Sequence, residues 1–162
     1  MTDQNSYFHR LMRGEIQTPA VLTLLGSRIQ EVDAQAGILR ARYEAKADFL
    51  NPAGTVQGGM LSAMLDDLTA SLVDATLQAG QGVVTLNLNV SFLRPVAVGE
   101  VQGQARLVRR GREVCHVTGS LWQQGQEVAL ATATCKIVSL ELAPSRQVTQ
   151  GGDESAALHR RS

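Results

Sequence analysis

Residues 51–77, NPAGTVQGGMLSAMLDDLTASLVDATL, decide how the rest of the chain is read. Their first part, NPAGTVQG, has the Gly and Pro content of a loop and no periodicity of its own. From Gly59 to Leu77 the pattern is helical. Met60, Leu61, Met64, Leu65, Leu68, Leu72 and Val73 cover more than half of the circumference, and Ala63, Ala70 and Ala75 fill much of the rest. A helix apolar nearly all round is a buried helix. Only Asp66 and Asp67 interrupt it with charge in its middle.

Upstream, Phe8, Leu11 and Met12 predict a short helix over Ser6–Arg13, ended by Gly14. Pro19 opens a second brief helix, Ala20–Leu25, stopped by Gly26. Between Ser27 and Lys46 the pattern changes to two apolar runs around a polar turn at Asp33–Gly37, which predicts a β-hairpin. Downstream of the helix, Val84, Leu86, Leu88, Val90 and Phe92 alternate with polar residues over one long strand that Pro95 ends. Three further strands follow, Val98–Arg109, Arg112–Trp122 and Glu127–Leu140, with turns near Gly111 and Gly125. The tail, PSRQVTQGGDESAALHRRS, has few large apolar residues and is expected to be disordered. The expected organisation is an N-terminal helical segment (1–26), one domain (27–140) and a tail (141–162).

This order, a hairpin, one long helix and a meander of about four strands, predicts an α+β fold. One helix cannot cover both faces of a sheet. An antiparallel sheet wrapped around the helix, with more burial from a second subunit, is the expected solution.

A chain of 162 residues fits one compact domain. Lys plus Arg number 15 and Asp plus Glu number 15, so net charge argues for neither nucleic acid nor anionic membrane as partner. No stretch has the apolar length of a membrane span and the N-terminus lacks a secretory pattern, so a cytoplasmic protein is expected. Cys115 and Cys135 have neither metal-ligand nor redox spacing and read as small hydrophobes, neighbours across a hairpin and reduced.

The element order together with NPAGTVQGGMLSAMLDD resembles the hotdog-fold acyl-CoA thioesterases of the phenylacetate-pathway and aryl-CoA type. The similarity runs from about Leu25 to Ile137. VTLNLNVSFLRPVAVGE looks like the family's central strand and the turn after it, and RRGREV like its next hairpin. The resemblance implies hydrolysis of an acyl-CoA or aroyl-CoA thioester to free acid and coenzyme A. It implies no metal or redox cofactor, and a homodimer or homotetramer with sites shared between subunits.

Chemistry gives each motif residue a candidate role. Gly58 and Gly59 stand where loop becomes helix, so their N–H groups are unpaired donors at the positive end of the helix dipole, able to polarise a thioester carbonyl. Two adjacent helical acids point about 100° apart, so one at most serves that site. Family spacing selects Asp66, which in the resemblance crosses to the partner's Gly-Gly loop as general base or nucleophile; Asp67 is left to cap or pair locally. Asn51 matches a polar family position, where its amide would hold water or the thioester oxygen; it equally suits a turn before Pro52. Gln57 is a departure, since much of the family has His there. Glutamine can hold an ester but cannot transfer a proton. Arg109 and Arg112, at the hairpin tip with Arg110, match basic residues that meet coenzyme A phosphates in similar proteins, and are otherwise a solvated turn. Met60, Met64 and Leu68 read as core before they read as an acyl tunnel. His9, His116 and His159 have no catalytic context, and no serine has a nucleophile elbow. The alternative is a non-catalytic acyl-CoA-binding hotdog protein; a hydratase is disfavoured by the missing His.

Overall fold

The structure is a computed structural model that describes Asp3 and residues 5–140. The expected disordered tail, 141–162, lies outside the described residues, as does His159. Two short helices open the chain, α1 (Tyr7–Met12) and α2 (Ala20–Leu25). They bury Phe8 and Leu25 in the same core as the rest of the chain. Gly26 ends α2 in the left-handed region, φ 62°, and a Cβ there would come within 2.8 Å of the Cβ of Glu44. Glycine answers both demands.

The hairpin follows as β1 (Arg28–Asp33) and β2 (Ile38–Ala45). Its turn is organised by the Asp33 carboxylate, which accepts from the N–H groups of Gln35 and Ala36. Then come the long helix α3 (Gly58–Asp74) and strands β3 (Gln81–Phe92), β4 (Gly99–Arg110), β5 (Val114–Gln123) and β6 (Gln126–Ser139). All six strands form one antiparallel sheet in the order β1-β2-β4-β5-β6-β3. One long helix lying against such a sheet is the hotdog fold.

Two sequence expectations are corrected. The last four strands are not a plain meander: β4, β5 and β6 are, but β3 crosses to the far side of β6, and β2 takes its place beside β4. The uniform alternation along β3 also fails. A bulge at Leu86, between Thr85 and Asn87, reverses which face the side chains take. Val83, Leu88 and Val90 pack toward the core, while Val84 and Leu86 are exposed.

Helix α3 is buried on one face, not all round. Leu61, Met64, Leu65, Leu68, Thr69, Leu72 and Val73 face the sheet. Their seat is made of small residues. A Cβ on Gly103 of β4 would lie 3.1 Å from both methyls of Leu68, and one on Gly119 of β5 would lie 3.0 Å from the Thr69 methyl. Ala105, Ala129, Ala131 and Ala133 continue this hollow on the same sheet and are buried. Cys115 and Cys135 are opposite one another on β5 and β6, both buried and both free thiols.

The other face of α3 holds the half-buried Asp67, Ala70, Ser71 and Asp74, which border a cavity of about 390 Å³ under α1, α2 and β1. Burial pushes the Asp74 carboxyl from 3.8 up to about 6. A carboxyl that holds its proton more tightly folded than unfolded favours the folded state at low pH, and this contribution is lost as pH rises through about 6. The shift corresponds to at most about 3 kcal/mol, less where cavity water screens it. Asp74→Asn should therefore match the natural protein in stability near pH 4 and exceed it by about 1–3 kcal/mol above pH 7. Denaturant titrations across this range measure the difference; a gap that does not change with pH would show that the carboxyl is not desolvated.

Candidate active site

The loop before α3 is built from its own hydrogen bonds. Asn51 Oδ1 accepts from the N–H groups of Ala53 (2.9 Å) and Thr55 (3.2 Å), and its Nδ2 donates to Thr55 Oγ1 at 3.0 Å. The Asn51 N–H donates to the Thr55 carbonyl at 2.7 Å. These bonds make Asn51 the organiser of a tight loop, the turn-forming use of asparagine. Its second amide hydrogen is left for any further contact.

The loop is then clamped on two sides. Val56 N–H donates to Val96 O at 2.8 Å, and Gln57 N–H to Phe49 O at 2.7 Å. Gln57 is the N-cap of α3, with an exposed side chain that makes no capping bond; its carbonyl accepts from the N–H groups of Met60 and Leu61. The N–H groups of Gly58 and Gly59, the first two of the helix, have no acceptor within it.

The two glycines differ in why they lack a side chain. A Cβ on Gly58 would meet the Phe92 ring at 3.0–3.3 Å, whereas one on Gly59 would meet nothing within 4 Å. Gly58 is closely covered by an aromatic ring; Gly59 is open to whatever approaches. Neither has a left-handed φ. Phe92, read from sequence only as one apolar position in an alternating strand, is thus part of this corner. No local signal marks that, because the contact spans two distant segments.

The neighbouring acids on α3 separate cleanly. Asp67 is held by its own chain: Oδ2 accepts from Ser27 Oγ (2.8 Å) and Tyr43 OH (2.9 Å), and Oδ1 lies 3.5 Å from Ser71 Oγ. Burial raises its carboxyl, and these three hydroxyls pull it back. Asp66 has no such support. Its Oδ1 is buried and has no hydrogen-bond partner. It lies near the β3–β6 part of the sheet, where its charge adds to the burial that raises the Cys135 thiol. An unpartnered buried carboxylate oxygen costs free energy and calls for a reason.

Distances along the helix keep these groups apart. Eight residues separate Gly58 from Asp66, about 12 Å of rise. The hairpin tip lies farther still: the Arg110 Nε donates to Thr76 Oγ1 just beyond the C-terminal end of α3. Arg109 and Arg112 are exposed there, around a shallow hollow with Gly111, Glu113, Val114 and His116. Within one chain, then, the glycine donors stand at the start of α3 and Asp66 at its middle, while the arginines lie on the β4–β5 hairpin, whose Arg110 reaches Thr76 just past the helix's far end. His9 is bonded to Ser6 and His116 is exposed on β5, so neither of these approaches the Gly pair. Among the described residues no group of three His, Cys, Asp or Glu is placed to hold a metal, and no helix is long and apolar enough to cross a membrane.

Comparison with known proteins agrees with this architecture. A phenylacetic acid degradation-related protein of Ralstonia eutropha JMP134 superposes with a TM-score of 0.79 at 58% identity, over 80% of this chain and 98% of that one. The E. coli PaaI protein, from the phenylacetic acid degradation operon, shares the fold with a TM-score of 0.72 at 21% identity, over 82% and 94% of the two chains. In sequence, the proofreading thioesterase EntH of Klebsiella pneumoniae is 33% identical over 79 residues, 49% of this chain and 58% of that protein. The chain thus spans little more than half the length of that curated relative. The family model of the Thioesterase superfamily matches residues 43–130, which include the loop, α3 and the strands β3, β4 and β5 into the start of β6, and the chain belongs to that superfamily.

Proposed function

We propose that this protein hydrolyses an acyl- or aroyl-coenzyme A thioester at a site completed by a second copy of the chain. The observation that carries the proposal is the contrast between the two acids: Asp67 is satisfied by its own fold, while the half-buried Asp66 has a buried Oδ1 without a hydrogen-bond partner among the described residues. Membership of the Thioesterase superfamily supports the reaction class. The phenylacetic acid context of the Ralstonia protein supports an aryl acyl group.

In this reading the thioester carbonyl oxygen accepts from the free N–H groups of Gly58 and Gly59, where the helix dipole favours negative charge. Asp66 of the partner subunit faces it. As general base the carboxylate takes a proton from water while the water oxygen attacks the carbonyl carbon; the oxyanion collapses, the C–S bond breaks, and the thiolate regains the proton. As nucleophile the same carboxylate would form a mixed anhydride that water then opens. Gln57, exposed beside the donors, positions the ester in either route and moves no proton. Asn51 sets the loop that aims the donors. Arg109 and Arg112 take coenzyme A phosphates by charge-assisted contacts.

The same reading calls for assembly as a homodimer or homotetramer. Strand β3 is an edge of 12 residues that exposes Val84, Leu86 and Phe92, a long unpaired edge of the kind that joins a second copy. A two-fold pairing there would bring each helix start toward the other chain's Asp66. The free, facing cysteines fit a reducing cytoplasm. The second reading, a coenzyme A ester binder without turnover, is favoured only by Gln57.

Release of free thiol from a panel of aliphatic and aryl CoA esters tests the proposal; tight binding with no release would favour the binder. Asp66→Asn should lower kcat at least ~10²-fold with assembly intact, as loss of a positioned base does. Asp67→Asn should instead lower stability and leave turnover within about tenfold, since it only perturbs the contacts to Ser27 and Tyr43. The reverse pattern would make Asp67 the acid. Light scattering at micromolar concentration should give a dimer or tetramer, and an active, folded monomer would overturn the shared site. Replacing Arg109 and Arg112 together with Ala should act chiefly on KM; an unchanged KM returns them to a solvated turn.

A further inference from the structure

Beside the helix start lies a groove of about 400 Å³, bordered by the Gly58 donor and by Phe92 at the end of the β3 edge. Its walls include Thr55, Val56, Gly58, Leu61, Phe92 and Val96. Val56, Leu61 and Val96 are buried, so they are fixed by the core. Phe92 is different. Its ring lies against Gly58, yet 52% of the residue is exposed, which is not how a ring serving only the core is placed.

The ring is also held firmly from behind. The N–H groups of Leu93 and Arg94 both donate to the Val128 carbonyl, at 2.8 and 3.2 Å. The Arg94 guanidinium donates to the Glu127 carbonyl at 2.6 Å, and Val96 accepts from Val56 of the loop. The strap that follows Phe92 is therefore tied both to the start of β6 and to the loop that carries Gly58. The backbone on either side of the ring–glycine contact is thus anchored by hydrogen bonds. A carbonyl oxygen accepting from Gly58 N–H would put its carbon about 4 Å from that nitrogen. The next carbon of the acyl group then begins within reach of the ring.

We propose that Phe92 is the specificity-determining wall of this site, limiting the bulk that an acyl group carries on the carbon next to the thioester carbonyl. The assignment rests on the proposed thioester hydrolysis at Gly58. It adds that a flat acyl group or one with an unbranched first carbon slides past the ring, while a branch at that carbon collides with it. The same ring makes position 58 tight for any side chain, since a Cβ there would lie 3.0–3.3 Å from it.

The experiment measures kcat/KM for two pairs of esters, butanoyl-CoA against 2-methylbutanoyl-CoA and phenylacetyl-CoA against 2-phenylpropanoyl-CoA. The natural protein is compared with Phe92→Ala and Phe92→Trp. Within each pair the branched-to-unbranched ratio should rise about tenfold or more in Phe92→Ala and fall in Phe92→Trp, the scale on which pocket walls discriminate small apolar groups. Because both esters meet the same enzyme sample, a partly unfolded or partly assembled variant lowers both rates and leaves the ratio unchanged. Ratios that stay within about threefold of the natural value in both variants would overturn the role of Phe92 while leaving the hydrolysis standing. If the natural protein releases thiol from no ester of either pair, or of the wider panel, the proposed reaction falls and this assignment falls with it.

Discussion

The seat beneath α3 constrains everything else in this molecule. Gly103 and Gly119, on adjacent strands, leave a hollow into which Leu68 and Thr69 descend until their methyls lie within about 3 Å of where a Cβ would stand. Buried alanines on β4 and β6 extend the hollow. A helix packed this closely cannot roll, because any rotation lifts Leu68 out of its seat or drives a neighbour into backbone. The roll angle in turn fixes where each acid points. With Leu65, Leu68 and Leu72 down, Asp67 faces Ser27 and Tyr43, and Asp66 faces the β3 side with one oxygen unsatisfied. The difference between a carboxylate bonded within its own fold and one with an unpartnered oxygen thus depends on a seat formed by two glycines on strands far away in sequence.

That dependence explains which parts were legible in the sequence. The elements were, because each has a local cause: apolar spacing in α3, alternation in β5 and β6, Gly26 after α2, Asp33 in the first hairpin turn. The choice between Asp66 and Asp67 came from family spacing and not from physics, since two adjacent acids on one helix are equivalent until the roll angle is known. The strand order was not readable either. β3 and β4 are adjacent in sequence and their connection is short, so a hairpin is the natural expectation, but β4 pairs with β2 and β3 lies outside β6. The bulge at Leu86 escaped for a different reason. The polar residues of TLNLN keep strict alternation through it, so the pattern gives no sign that the faces exchange.

The N-terminal corner shows the same limit at finer scale. NPAGTVQGG is readable as a loop entering a helix, and Asn51 as a turn former. Its clamps are not, since Val56 is tied to Val96 and Gln57 to Phe49 by backbone bonds that leave no trace in side-chain pattern. Nor is the ring of Phe92 against Gly58, although it makes that position tight for a side chain. What read as one motif is two segments, 51–59 and 92–96, joined by hydrogen bonds.

These corners leave one chain chemically incomplete in a specific way. Donors without an acceptor stand at the start of α3, and an acceptor without a donor stands about 12 Å along it, on a straight helix that can never bring them together. Each deficit alone is a cost in stability. In the proposed shared site the two deficits would face one another across the subunits. The edge strand β3 offers a place for such pairing, since it is long, has one free edge and exposes Val84, Leu86 and Phe92 among polar residues. Pairing there would repair the sheet edge and join the two deficits in one step. In the proposed shared site, the contacts that offset the orphan oxygen of Asp66 would also hold the assembly together and orient the thioester, so association and reactivity would arise from one set of contacts.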